Sequence, residues 1–230
     1  MSKIKWGAIV VDGRGKLGGH VFTKTKSGAT MRTKVTPVNP QTSAQASARS
    51  RLGGNSQAWS SLSEDERRSW NALAQETSKT NIFGDQYFPS GKNLFTSVNN
   101  NLVMIGRPPI LEAPSFAELP FIIDMIVGVD ISAGEINLTV DVSGSVAGHA
   151  LVVEATAPSS AGKYNFDGAY RQILVAITGA VPTPQALHNA YIAKFGAPVE
   201  GKKIAFRAYY VSISGGNASP RFTTTAIARP

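Results

Sequence analysis

Between Phe121 and Ala228 the chain is written in short β-periods, and this restricts its fold more than any other feature. Glu135-Ile-Asn-Leu-Thr-Val-Asp-Val142 puts Ile136, Leu138, Val140 and Val142 on one face and polar residues on the other, the pattern of a half-buried strand. Similar runs occupy Phe121–Val127, His149–Thr156, Tyr170–Thr178, Lys203–Ile213 and Arg221–Ala228, with glycine and proline signals between them. Six or seven antiparallel strands in about 115 residues predict a two-sheet sandwich. One helix interrupts the series. Thr183-Pro184 supplies its cap and first-turn proline, Leu187, Tyr191 and Phe195 recur at four-residue steps to grip the sandwich, and Gly196 ends it.

The preceding residues read as two smaller pieces. From Lys3 to Pro37 the pattern is strands and tight turns: Ile4, Trp6, Ala8 and Val10 alternate, Asp12-Gly-Arg-Gly-Lys-Leu-Gly-Gly19 permits a sharp reversal, and Ser27-Gly28 is the expected turn of a second hairpin. A basic ribbon of two or three strands results, too poor in apolar area to stand alone. Asn39-Pro40 then signals a helix over about Gln41–Leu52, with Gly53-Gly54 expected to break it before a further stretch through Trp59. Ser63-Glu-Asp-Glu66 is a capping box for a helix on which Trp70, Leu73 and Ala74 share a face, flanked by Arg67 and Arg68. After the loop Asn81–Pro89, Ser90 caps a third helix through Ile105, with Leu94, Phe95, Val98, Leu102 and Ile105 at helical spacing and Gly106-Arg-Pro-Pro109 as the stop. The expected organisation is therefore α+β: a basic β-hairpin anchor at 1–38, a helical unit at 39–106, a proline-rich linker at 107–120 and a β-sandwich with one inserted helix at 121–230.

Several functions are argued against by residues and motifs the sequence lacks. Without cysteine there are no disulfides, thiolate metal sites or cysteine nucleophiles, and His20, His149 and His188 fall in no metal-ligand spacing. Gly13-Arg-Gly-Lys-Leu-Gly18 spells G-x-G-x-x-G, but the downstream segment reads as a strand rather than a helix, so a hairpin turn is the better explanation than a phosphate cradle. Glu64, Asp65 and Glu66, the one acidic cluster, suit the positive end of a helix dipole. No nucleophile-elbow, Walker or zincin motif occurs, so no enzymatic activity, metal or cofactor is expected. Neither a membrane span nor a secretory signal peptide is expected.

The charge of +8 is concentrated at one end. Residues 1–51 carry a net +9 through Lys3, Lys5, Arg14, Lys16, Lys24, Lys26, Arg32, Lys34, Arg49 and Arg51, opposed by Asp12 alone, while the rest of the chain is close to neutral. Such a field attracts polyanions or an acidic protein surface, and it equally suits a solvated hairpin face. Trp6 and Phe22 lie among these cations. They are able to stack on bases, or to form an apolar underside packed on Trp59 or Phe95. An exposed aromatic platform for carbohydrate would draw on Tyr164, Phe166, Tyr170 or Tyr209, all of which also suit a core.

Lys16-Leu-Gly-Gly-His-Val-Phe, Gly28-Ala-Thr-Met-Arg32, Pro37-Val-Asn-Pro40-Gln-Thr, Gln45, Arg49, Trp59-Ser-Ser-Leu-Ser, Arg68-Ser-Trp70 and Ser90-Gly-Lys-Asn-Leu-Phe95 together give residues 16–111 a familiar look. This resembles a loose family of small virion structural proteins from tailed-phage genomes and prophage-like regions. The segment Leu52-Gly53-Gly54 departs from it, since such proteins are often bulkier there. Separately, Gly201-Lys-Lys-Ile-Ala-Phe-Arg-Ala-Tyr-Tyr-Val211 and Gly215-Gly-Asn-Ala-Ser-Pro220 are similar to the late strands of a fibronectin type III or immunoglobulin-like module. The resemblance implies a non-enzymatic virion component made in the host cytoplasm, in repeated copies or as a homo-oligomer beside capsid, portal or tail subunits, and the charge distribution makes the ten basic residues the expected docking surface. The rival reading is a nucleic-acid-binding protein using residues 1–51, and a carbohydrate-binding surface module stands behind both.

Overall fold

The computed structural model describes residues 2–10, 12–36, 39, 41–81, 83–116 and 118–230. The chain is mixed α+β and divides into two compact units, one formed by residues 1–100 with 110–113 and the other by 101–109 with 114–230.

The first unit opens with a four-stranded antiparallel sheet: β1 (Ser2–Lys3), β2 (Gly15–Leu17), β3 (His20–Thr25) and β4 (Gly28–Thr33), in the order β1-β4-β3-β2. The strand expected over residues 4–10 is reduced to β1, because one hydrogen bond from Ile4 N–H to Ala29 O continues the pairing and nothing described carries it further. Gly18, in the left-handed region at φ +55°, closes the first hairpin opposite the pair Leu17–His20. The second hairpin turns on Lys26-Ser27, one residue earlier than expected, and Gly28 starts β4 at φ +105°.

Helix α1 (Ser43–Ser61) starts where Thr42 Oγ1 accepts from Gln45 N–H at 3.3 Å. The expected start at Gln41 is thus displaced, and Pro40 lies outside the described residues. Gly53-Gly54 does not break the helix. A mid-helix glycine costs only about 1 kcal/mol, and the bonds around it persist. A Cβ added at either glycine meets nothing within 4 Å. The double substitution G53A/G54A is therefore expected to stabilise the protein by roughly 1–2 kcal/mol, read as a rise in denaturation midpoint; a fall would mean that this helix is not continuous.

Helix α2 (Glu64–Glu76) carries the expected capping box, Ser63 Oγ accepting from Glu66 N–H and the Glu66 carboxylate accepting from Ser63 N–H at 2.7 Å. Arg67 turns back to donate to the carbonyls of Trp59 and Ser60, satisfying acceptors that α1 leaves open at its C-terminus. A short hairpin pairs β5 (Lys79–Thr80), just before the expected loop, with β6 (Gln86–Tyr87) inside it. Helix α3 (Gly91–Met104) follows, with Leu94, Phe95, Val98 and Leu102 buried, and Gly106 at φ +76° ends it as predicted. Gly91 permits a close approach, since a Cβ there would sit 2.3 Å from Asn71 Oδ1. Trp70 is fully buried and meets Phe95 edge-on at 5.3 Å, while Trp59 packs on the same ring at 5.5 Å.

The second unit contains β7 (Phe121–Asp130), β8 (Glu135–Ser143), β9 (His149–Ala155), β10 (Arg171–Ala176), helix α4 (Pro184–Phe195), β11 (Lys203–Ser212) and β12 (Phe222–Arg229). The strands form one six-stranded sheet in the order β10-β9-β11-β12-β7-β8. All neighbours are antiparallel except β12 and β7, joined in parallel through only Ala228–Val129 and Arg229–Asp130. The sheet is curled: Met125 and Ile136 from its β7–β8 end share one core with Leu151, Ile204 and Phe206 from the other. Helix α4 lies against both edge strands, β8 and β10, and sends Leu187 and Tyr191 into that core. His188 on the same helix is turned inward and 8 % exposed.

Candidate functional site

The ten basic residues do not form one patch. Cross-strand partners in a sheet share a face. Lys16, Val21 and Arg32 therefore make one row across β2, β3 and β4, and Lys3 projects on the same side opposite Thr30. Lys24 lies on the other face with Phe22 and Met31. Lys26 occupies the hairpin turn, Lys34 follows β4, Lys5 and Arg14 sit between strands, and Arg49 and Arg51 belong to α1.

Part of this charge is tied down. Lys5 Nζ pairs with Asp85 at 3.0 Å, Lys24 Nζ with Asp12 at 3.2 Å, Lys3 donates to Ser27, and Arg49 donates to Asn39 Oδ1 at 2.7 Å. A cleft of about 330 Å³ collects the first three lysines with Asp12, Asp85, Asn81 and Phe83. Lys16, Lys26, Arg32 and Lys34 are exposed and form no ion pair among the described residues, and Arg14, also exposed, acts on Asp12 only through space.

The Lys24 ammonium, with help from Gly13 N–H, holds the Asp12 carboxyl below its ordinary 3.8, and Asn81 followed by Lys5 does the same to Asp85. A depressed carboxyl contributes stability that is full above its unfolded value and is lost as pH falls through the folded one. The Asp12–Lys24 tie to β3 and the Asp85–Lys5 tie to the β5–β6 hairpin are thus expected to loosen below about pH 4. Hydrogen exchange at Ile4 and Asn81 N–H measures this: protection should drop from pH 7 to pH 3 beyond the intrinsic change in exchange rate, and unchanged protection would contradict it.

The sheet has almost no interior. Of its residues only Val21 and Thr30 are buried, while Leu17 is 72 % exposed and the neighbouring Ile9 and Val35 are 97 % and 65 % exposed. Trp6 and Phe22, the aromatics among the cations, pack on each other at 5.5 Å rather than on Trp59 or Phe95. Gly13 makes room for this: an added Cβ would stand 2.7 Å from the Trp6 ring, which gives the first glycine of G-x-G-x-x-G a packing role. β3 comes directly after the motif, as the hairpin reading requires.

Among the described residues no three or more acidic or imidazole side chains are grouped to hold a metal ion, and no helix is long and apolar enough to cross a membrane. His149 and His188 are buried with no hydrogen-bond partner for Nδ1 among the described residues, whereas His20 is exposed. Of the aromatics weighed as a carbohydrate platform, Phe166 and Tyr209 are core residues and Tyr170 is half-buried, but Tyr164 is 87 % exposed. No protein-family model, curated protein or solved structure shows a significant match to this chain.

Proposed function

We propose that this chain is a non-enzymatic structural component of a bacteriophage virion, a capsid decoration protein or a head-to-tail connector, docking through its basic N-terminal part. One observation supports this most: a four-stranded sheet that buries two of its own residues carries Lys16, Lys26, Arg32 and Lys34 without ion pairs beside exposed Ile9, Leu17 and Val35. A sheet of this kind gains burial and charge partners only from a neighbour, so an acidic subunit surface with apolar contacts is the partner its chemistry fits. The curled six-stranded sheet with α4 then serves as the projecting module, of immunoglobulin or fibronectin type III kind, in which the parallel β12–β7 link draws first and last strands together. Chains of this kind act in repeated copies within the particle.

Direct nucleic-acid binding is the weaker reading, because Trp6 and Phe22 spend ring surface on each other instead of offering it to bases. Charge reversal at Lys16, Arg32 and Lys34 separates the two readings. If the surface docks on protein, the variant folds normally, is missing from particles, and the wild-type chain shows no salt-dependent affinity for duplex DNA. A steep salt slope that the reversal flattens would favour the nucleic-acid reading instead.

A further inference from the structure

We propose that the cleft lined by Tyr164, Asn165, Asp167, Tyr170, Arg207 and Thr223 binds a neutral saccharide. This inference goes beyond the virion reading and does not depend on it.

The loop between β9 and β10 is held firmly. Ser159 exchanges both backbone hydrogen bonds with Lys203 at 2.9 Å, Phe166 is 6 % exposed and serves as its anchor, and Asn165 Oδ1 accepts from Asp167 N–H at 2.8 Å. On this fixed loop Tyr164 remains the most exposed aromatic side chain among the described residues, with no core to fill. Lys203 Nζ stands 4.7 Å from its ring centre and constrains its position. Arg207 lies 4.2 Å from the Tyr170 ring and is fixed from behind by Glu154, at 2.5 Å and 2.6 Å from its two nitrogens. Rings and polar groups are therefore preorganised, which lowers the ordering cost of a ligand.

The cleft, about 390 Å³, combines a bare aromatic ring with the Asp167 carboxylate as acceptor, the Arg207 guanidinium and Asn165 amide as donors, and the Tyr170 and Thr223 hydroxyls as either. Of its lining residues only Asp167 and Arg207 are charged, and they balance, while Lys203 over Tyr164 and Lys163 over Phe166 stand at its rim. A phosphate or ammonium ligand finds no excess of opposite charge among the lining residues, whereas a pyranose has an apolar C–H face for the ring and adjacent hydroxyls that donate and accept. A single platform implies weak affinity, roughly millimolar.

The full chain is titrated, by NMR, with hexamers of α1,4-glucose, β1,4-glucose, mannose and N-acetylglucosamine, and with a single-stranded DNA oligonucleotide as anionic control. Saturable shifts around Tyr164, Tyr170 and Arg207 with at least one sugar, weakened tenfold or more by Y164A and unaffected by substitution of Phe88, an exposed aromatic of the first unit, are the expected result. Because Tyr164 is almost wholly exposed, Y164A leaves folding intact, and an unchanged spectrum elsewhere verifies this. No shift with any sugar, wild-type binding by Y164A, or occupation of the cleft by DNA in a salt-sensitive manner would overturn the proposal.

Discussion

Replacing Tyr191 by alanine lowers the stability of the second unit by about 3–5 kcal/mol, whereas replacing it by phenylalanine costs only about 1 kcal/mol. The tyrosine ring is fully buried between Phe195 at 5.2 Å and Phe206 at 6.3 Å, and its hydroxyl donates to Thr156 O at 3.1 Å. Burial also pushes that hydroxyl well above its ordinary pKa, so it is a donor at neutral pH. Alanine leaves a cavity on the side of α4 that faces the curled sheet, and the helix is what lies against both edge strands. Phenylalanine keeps the packing and orphans one carbonyl. Urea denaturation followed by β-sheet circular dichroism distinguishes the two costs, and equal losses for both variants would show that the hydrogen bond, not the ring, holds the helix.

The first unit has a corresponding point of failure at Trp70. Its indole is fully buried, meets Phe95 at 85° and donates from Nε1 to Leu111 O at 2.6 Å. W70A removes the largest buried side chain of a small helical core and leaves that carbonyl unpaired, an expected loss of about 3–5 kcal/mol. Domains of ordinary stability have about 5–15 kcal/mol in hand, so the loss takes from about a fifth of the margin to all of it. W70F should recover part of the packing but not the hydrogen bond, falling between alanine and wild type. The helical circular-dichroism signal and the remaining Trp6 and Trp59 fluorescence report the transition. An unaltered midpoint for W70A would mean that Phe95 is supported from elsewhere.

Much of this architecture was legible residue by residue. Strand β8 is visible in the alternation from Glu135 to Val142, and α4 in Thr183, Pro184 and Gly196, because both are set by local geometry and capping. Periodicity does not name a strand's partner, and for that reason the parallel β12–β7 link that joins the strands into one curled sheet was not legible. Gly53-Gly54 looked like a break because intrinsic propensity was weighed against a helix that neighbouring turns and the Arg67 cap sustain. The ten cations were readable as a charge total, but their distribution over two sheet faces, a cleft and a helix depends on register. Tyr164 was hidden for a related reason: its sequence neighbours do not tell which ring of Tyr164, Phe166 and Tyr170 anchors the loop and which is left outside.

The account of function rests on the N-terminal sheet completing itself against another protein in a particle. Density-gradient-purified particles from cells producing the full chain, and from cells producing a chain lacking residues 1–38, are compared by quantitative mass spectrometry. The account predicts a fixed ratio of the full chain to the major shell subunit and loss of the truncated chain from particles although it stays soluble. Full-length chain absent from particles, or truncated chain incorporated at the same ratio, would contradict it.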